Sequence, residues 1–255
     1  MDECAVVEHL ARRTPKTMVD VGAHVGGSLI PFARKGWDVH AFEPDPSNRT
    51  QLLQATREFP RVKVNPLAVT SVDGEKLPLF TSEVSTGIST LVPFHESHEV
   101  TAMVATTRLD TYLRHEDVRE VGFLKVDAEG HDFTILQTFP WTAFKPSIVL
   151  CEFEDRKTIP LDHTYRDIAD LLVSKGYAVV VSEWRPVVEY GQQHVWRRAA
   201  SYPCEVPRDA WGNLLALPPD QLRRGMRLLR LAGWRLRVRR LFVATTTGLR
   251  KDPPC

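Results

Sequence analysis

Four carboxylates stand where short apolar runs end: Glu43, Asp127, Glu129 and Glu152. Glu43 lies 21 residues after Gly22, the spacing at which the acid of a βαβ nucleotide-binding unit accepts both hydroxyl hydrogens of a ribose. Asp127, Glu129 and His131 crowd a second turn, Asp127-Ala-Glu-Gly-His131. There they are candidate general bases for a hydroxyl nucleophile, and histidine titrates near neutrality. Lys125, two residues before Asp127, sits inside the preceding run and is expected to pair with an acid rather than act chemically.

Placing these side chains requires strands that stop at a common rim. Met18–Val21 reads as a buried strand, followed by Gly22, Ala23, His24 and Gly26, then a helix with Leu29, Ile30, Phe32 and Ala33 apolar. Gly22 allows a tight turn and a close ligand, and the helix start offers free N–H groups. Val39–Phe42 is the second strand, ending on Glu43 and Pro44. A dinucleotide fingerprint needs glycine where His24 stands, so a dehydrogenase is disfavoured, and no Tyr-x-x-x-Lys pair supports one. A ligand with a ribose but no pyrophosphate, such as S-adenosylmethionine, fits the spacing better.

The chain continues with Ser47 as the expected N-cap of a helix over 48–59 and a third strand at Val62–Val64. Asn65 and Ala68, just beyond that strand, are placed beside an adenine ring. Residues 69–107 are irregular, with short strands expected at 77–80, 87–92 and 100–107. His95 and His98 lie on a surface loop and lack the H-E-x-x-H spacing, so no metal site is expected. Helices over 109–116, 133–139 and 163–174 alternate with strands over 121–127, 147–152 and 177–181, and Trp211–Leu217 is a seventh strand. Such alternation implies a mostly parallel sheet with helices on both faces and ligands at the carboxyl ends of its strands.

At 255 residues, with 43% apolar and 25% charged side chains, the chain suits one α/β domain with an appendage. The expected division is an N-terminal helix over 1–16, a domain over 17–219 and a basic tail over 220–255. Four scattered cysteines argue against a disulfide scaffold or zinc knuckle and suit a cytosolic protein. The start does not read as a secretory signal, and no apolar run is long enough to cross a membrane.

Charge is divided unevenly. Residues 221–251 hold ten basic residues and no acid, whereas residues 1–220 carry 23 basic and 31 acidic residues. Leu228, Leu231, Trp234 and Leu241 recur among the arginines at helical spacing. This pattern fits a helix docked on the acidic body or lying on an anionic membrane, with a lipid-linked glycan as a matching acceptor. Nucleic acid is disfavoured, since no base-stacking module accompanies the arginines.

Asp20-Val-Gly-Ala-His-Val-Gly26, Phe42-Glu-Pro44, Leu109-Asp-Thr-Tyr-Leu113 and Phe123-Leu-Lys-Val-Asp-Ala-Glu-Gly-His131 together resemble the FkbM-type S-adenosylmethionine-dependent methyltransferases over roughly residues 17–180. The resemblance implies a class I methyltransferase (Rossmann-like) fold with a seven-stranded sheet whose last strand is antiparallel. It implies S-adenosylmethionine as cofactor and O-methylation of a glycan or small-molecule hydroxyl. Asp20, Gly22 and Gly26 would line the methionine end, Glu43 would hold the ribose, and Asp127 and Glu129 would face the reactive methyl. A non-catalytic nucleoside-binding protein of the same fold is the alternative, and the acids after the fourth long strand favour the enzyme.

Overall fold

The structure, a computed structural model, describes residues 3–187 and 194–247, with side chains to residue 236. In chain order the elements begin with α1 (Glu3–Leu10), β1 (Thr17–Val21), α2 (Ile30–Ala33), β2 (Asp38–Phe42), α3 (Pro46–Thr56), β3 (Val62–Asn65) and β4 (Ala68–Val69). They continue with β5 (Lys76–Thr81), β6 (Glu99–Thr107), α4 (Leu109–His115), β7 (Phe123–Val126), α5 (Asp132–Thr138), β8 (Ile148–Glu154) and α6 (Asp155–Thr158). The rest are α7 (Tyr165–Ser174), β9 (Ala178–Trp184), β10 (Trp196–Ser201), β11 (Trp211–Leu217) and α8 (Leu222–Thr247).

The main sheet has the order β10-β9-β11-β8-β7-β1-β2-β3. Strands β3, β2, β1, β7 and β8 run parallel, and β11 is antiparallel to both β8 and β9. Every residue of β7 and β8 is buried, which is why both read as apolar runs broken only by Lys125, Glu152 and Glu154 rather than as an alternation. Helices cover both faces. Leu113, Ile135 and Leu172, from α4, α5 and α7, pack on one face, and Val7, Phe32, Leu52 and Leu229, from α1, α2, α3 and α8, on the other. The order reverses between β1 and β7, so the loops after their carboxyl ends diverge and leave a crevice.

Several expectations are corrected. The sheet has eight strands, because β10 adds antiparallel to β9 at the edge. Its sequence, Trp-Arg-Arg-Ala-Ala-Ser, shows no regular alternation. The helix after the glycine turn shrinks to the four residues of α2. Asp45, not Ser47, caps α3: its Oδ1 accepts from Ser47 N at 2.8 Å and Asn48 N at 3.3 Å. Residues 87–92 form no strand; a 3-10 turn at Thr86–Ile88 and a bridge between Phe80 and Thr90 replace it. Strands β4, β6 and β5 form a separate small sheet beside this segment. Among the described residues no helix is long and apolar enough to cross a membrane. The basic tail is helical through Thr247, and α8 packs on α1, β9 and β10; the side chain of Leu241 and residues 248–251 lie outside the described part.

Candidate active site

Gly22 turns the chain out of β1 with φ +78°, and a Cβ there would stand 1.7 Å from the Asp127 carbonyl oxygen. The glycine turn therefore lies directly against the chain leaving β7, and only glycine permits the approach. Beneath it, Lys125 donates to Gly22 O at 3.1 Å and lies 3.2 Å from both Asp20 Oδ1 and Asp127 Oδ2. Desolvation alone would lower the Lys125 pKa, but Asp127 and Asp20 together hold it above its ordinary value. As expected from its place in the strand, this lysine pairs with acids. It ties β1, β7 and the glycine turn into one unit.

The acid after β2 is fixed by backbone. Glu43 Oε2 accepts from His24 N at 2.7 Å and Oε1 from Asp45 N at 2.9 Å. His24 takes a left-handed conformation, φ +49°, to aim that N–H. Burial pushes the Glu43 carboxyl up to about 7, against the two backbone hydrogen bonds that favour its charged form.

A strap over residues 85–90 crosses the crevice. His24 Nε2 meets Thr86 Oγ1 at 3.0 Å, Asn48 Nδ2 donates to Thr86 O at 2.9 Å, and Ser89 Oγ donates to Asp45 Oδ2 at 2.8 Å. Its far end is tied by Thr90 Oγ1 donating to Glu129 O at 3.1 Å. The His95–His98 loop, expected at the surface, braces it from behind through His98 Nε2 and Ile88 O at 3.0 Å. Asn48 is 1% exposed and lies on the cavity wall, and its Oδ1 has no hydrogen-bond partner.

The turn after β7 carries the second cluster. Asp132 braces it, with Oδ1 accepting from Ala128 N and Oδ2 from Gly130 N, both at 3.0 Å. Glu129 is thereby left for other work, in a left-handed conformation with φ +52°. Its Oε2 is 2.5 Å from Lys157 Nζ, which also lies 2.7 Å from Glu154 and 3.8 Å from Glu152. Burial drives the Glu129 carboxyl up to about 7; Lys157 pulls it down and Asp127 pushes it further up. Burial also lowers His131, whose Nδ1 is buried without a partner. Asp127, Glu129 and Glu152 bring carboxylate oxygens within 4.8 Å of one another, a spacing a cation can use, and the Lys157 ammonium is the positive charge the chain itself supplies there.

One cavity of about 310 Å³ joins the two clusters, within the range of small-molecule sites. Of the residues the sequence singled out, Gly22, His24, Glu43, Pro44, Ala68, Asp127, Glu129 and His131 line it. Other expectations are corrected. Asp20 is fully buried below the floor, held by Lys125 and by Ser28 Oγ at 2.5 Å. Ala23 is buried, and Gly26 packs toward Leu52. The Asn65 amide is committed to the core, donating to Ala41 O at 3.1 Å and Tyr112 Oη at 2.9 Å. Glu152 lies inside β8, which runs on to Glu154. The sequence reading missed Asn48, Lys157, Trp211 and the strap, which also line the cavity. Only Asn48 carried a signal, as a polar residue on the first turn of the helix that follows Glu43.

The crevice lies at the β1/β7 switch point, where doubly wound folds bind their ligands, with an acid after β2 and an acidic turn after β7. Residues 20–179 match the methyltransferase FkbM domain, and the chain belongs to that family of methyltransferases. A search of curated proteins found no match. Among solved structures the chain is similar to an O-methyltransferase from Bacillus cereus in complex with S-adenosylhomocysteine (11% identity, TM-score 0.46, covering 84% of this chain and 78% of that one). It is also similar to precorrin-6y C5,15-methyltransferase from Geobacter metallireducens (13%, 0.45, 84% and 86%). A third is magnesium protoporphyrin IX methyltransferase from Synechocystis with bound S-adenosylmethionine (10%, 0.44, 84% and 77%). Family membership rests on the sequence match, not on these likenesses.

Proposed function

We propose that this chain transfers a methyl group from S-adenosylmethionine to a hydroxyl of a glycan or small metabolite, in a reducing, cytosolic compartment. The observation that carries the reading is the single cavity shared by Glu43 and by the Asp127, Glu129 and His131 cluster. The residues present fit a nucleoside. Glu43 supplies a carboxylate fixed by backbone, and Asn48 Oδ1 is an orphaned buried acceptor on the same wall. Such an acceptor is costly unless a donor meets it, and ribose hydroxyls are donors.

Glu43 and Asn48 would hold the nucleoside end, and Asp127, Glu129 and His131 the reacting end. S-adenosylmethionine, when bound, supplies the activated methyl carbon. The chain's task is then alignment and proton handling. Glu129, moved by burial into the neutral range, receives the proton that the acceptor hydroxyl releases, and Lys157 fixes its position. Asp127, anchored by Lys125, orients the hydroxyl, and His131 is the second group able to take the proton.

Calorimetry with S-adenosylmethionine and with NAD, followed by S-adenosylhomocysteine release over a panel of glycans and hydroxylated metabolites, tests this. Heat is expected with the first ligand alone. In Glu129→Gln, turnover should fall by about 10²–10⁴-fold with the same heat of cofactor binding. Unchanged turnover would remove Glu129 from the mechanism. Absence of heat in the wild type would remove the whole reading.

A further inference from the structure

Helix α8 has a fixed inner face. Leu229 is fully buried, a Cβ on Gly225 would stand 2.3 Å from Leu217 Cδ1, and one on Gly233 would stand 2.0 Å from the Trp196 ring. The two glycines, eight residues apart, let the helix backbone lie directly on the end of β11 and on Trp196 of the edge strand β10. The rotation of the helix about its axis is thereby set, and so is the face it turns to solvent.

That outer face carries arginines and two large apolar side chains. Arg223, Arg224, Arg227, Arg230 and Arg235 are all exposed. Between them Leu231 is 45% and Trp234 62% exposed, three residues apart and therefore neighbours on one side of the helix. No Asp or Glu occurs anywhere in 221–251. Among the described residues none of the five arginines pairs with a carboxylate. A helix that only needed solubility would intersperse both signs and would not present tryptophan and leucine to water.

We propose that this outer face of α8 seats the protein on an anionic lipid surface, with Leu231 and Trp234 entering the boundary between headgroups and acyl chains and the arginines meeting lipid phosphates. Charge decides that the partner is anionic. The two apolar side chains decide for a bilayer over a nucleic acid, since phosphate binding along a backbone uses the arginines but gives Leu231 nothing to enter. The inference is independent of the catalytic reading.

Deleting the helix would strip cover from Val7, Leu10 and Trp196, so the full chain with surface substitutions is the material to use. Flotation is measured with phosphatidylcholine vesicles and with vesicles that also contain phosphatidylserine. The wild type should float with the second and not with the first, and salt should release it. Each arginine contributes about fivefold to such binding, so Arg223→Gln/Arg227→Gln/Arg230→Gln should weaken it by on the order of a hundredfold. Leu231→Ala/Trp234→Ala should weaken it by at least about tenfold. Both variants should keep the wild-type melting temperature. Should either melt early, the wild-type contrast between the two vesicles decides.

Equal flotation on both vesicles, no flotation on either, or flotation indifferent to both variants overturns the proposal. So does binding to a mixed RNA that the arginine variant abolishes while vesicles fail. A dimer in light scattering that Leu231→Ala/Trp234→Ala dissolves, with no flotation, assigns the face to a second copy of the chain and overturns it as well.

Discussion

Replacing Lys125 by methionine tests the unit that organises the site. The substitution conserves the length of an unbranched side chain that is 9% exposed, but removes an ammonium 3.2 Å from each of two carboxylates and 3.1 Å from Gly22 O. Asp20, fully buried, then keeps only the Ser28 hydroxyl. Breaking one side of a buried pair costs about 3–5 kcal/mol, because the remaining charge is left in a medium that solvates it poorly. That is about two to four powers of ten in the folding equilibrium. Urea denaturation at neutral pH should show this as a lower midpoint with an unchanged slope. The sign of the pH dependence gives a second check. Without Lys125, burial raises the Asp20 pKa above its unfolded value, so the penalty is complete above the folded pKa and is relieved as the pH falls through it. Lys125→Met should therefore regain stability relative to wild type on mild acidification, and Lys125→Met/Asp20→Asn should be more stable than Lys125→Met at neutral pH. A loss below about 1 kcal/mol at pH 7, the size of an exposed pair, would refute the reasoning.

Cofactor affinity should rise with pH through about 7 and level off above it, because hydroxyl donors bind the ionised Glu43 better and the proton held in the free cleft must first leave; titration calorimetry across that range, with Glu43→Gln giving a flat profile, checks the assignment. Asn48→Leu keeps the branching and heavy-atom count of the side chain but removes the orphaned acceptor and the tie to Thr86, so the dissociation constant for S-adenosylmethionine should rise about tenfold, the worth of one hydrogen bond of this kind. An unchanged constant would place Asn48 outside the nucleoside site.

The parallel core was readable because its residues obey local rules. Strands β7 and β8, buried on both faces, are mostly apolar runs, and Gly22 with Glu43 are spaced by the βαβ unit itself. Lys125 was readable for the same reason: a charge inside such a run must have a partner. The strap and Lys157 were not readable. Thr86 meets Asn48 across 38 residues and Lys157 meets Glu129 across 28, and no local pattern encodes either pairing. Strand β10 escaped because an edge strand buries little: only Trp196 and Ala199 of its six residues are buried. Asn65 shows the opposite failure, since its position at a strand end was right and its side chain turned into the core beside Tyr112.

The six residues from Ser85 to Thr90 grip the glycine turn, the cap of α3 and the carbonyl of Glu129. A loop anchored at both ends of one chamber does not treat its two occupants separately. On the proposed reading, widening it to admit a bulkier acceptor would shift Thr86 and Ser89, and with them His24, Asn48 and Asp45 on the wall beside Glu43. A substitution in the strap chosen to change the acceptor would then also change donor affinity, because the same few hydroxyl side chains tie both walls.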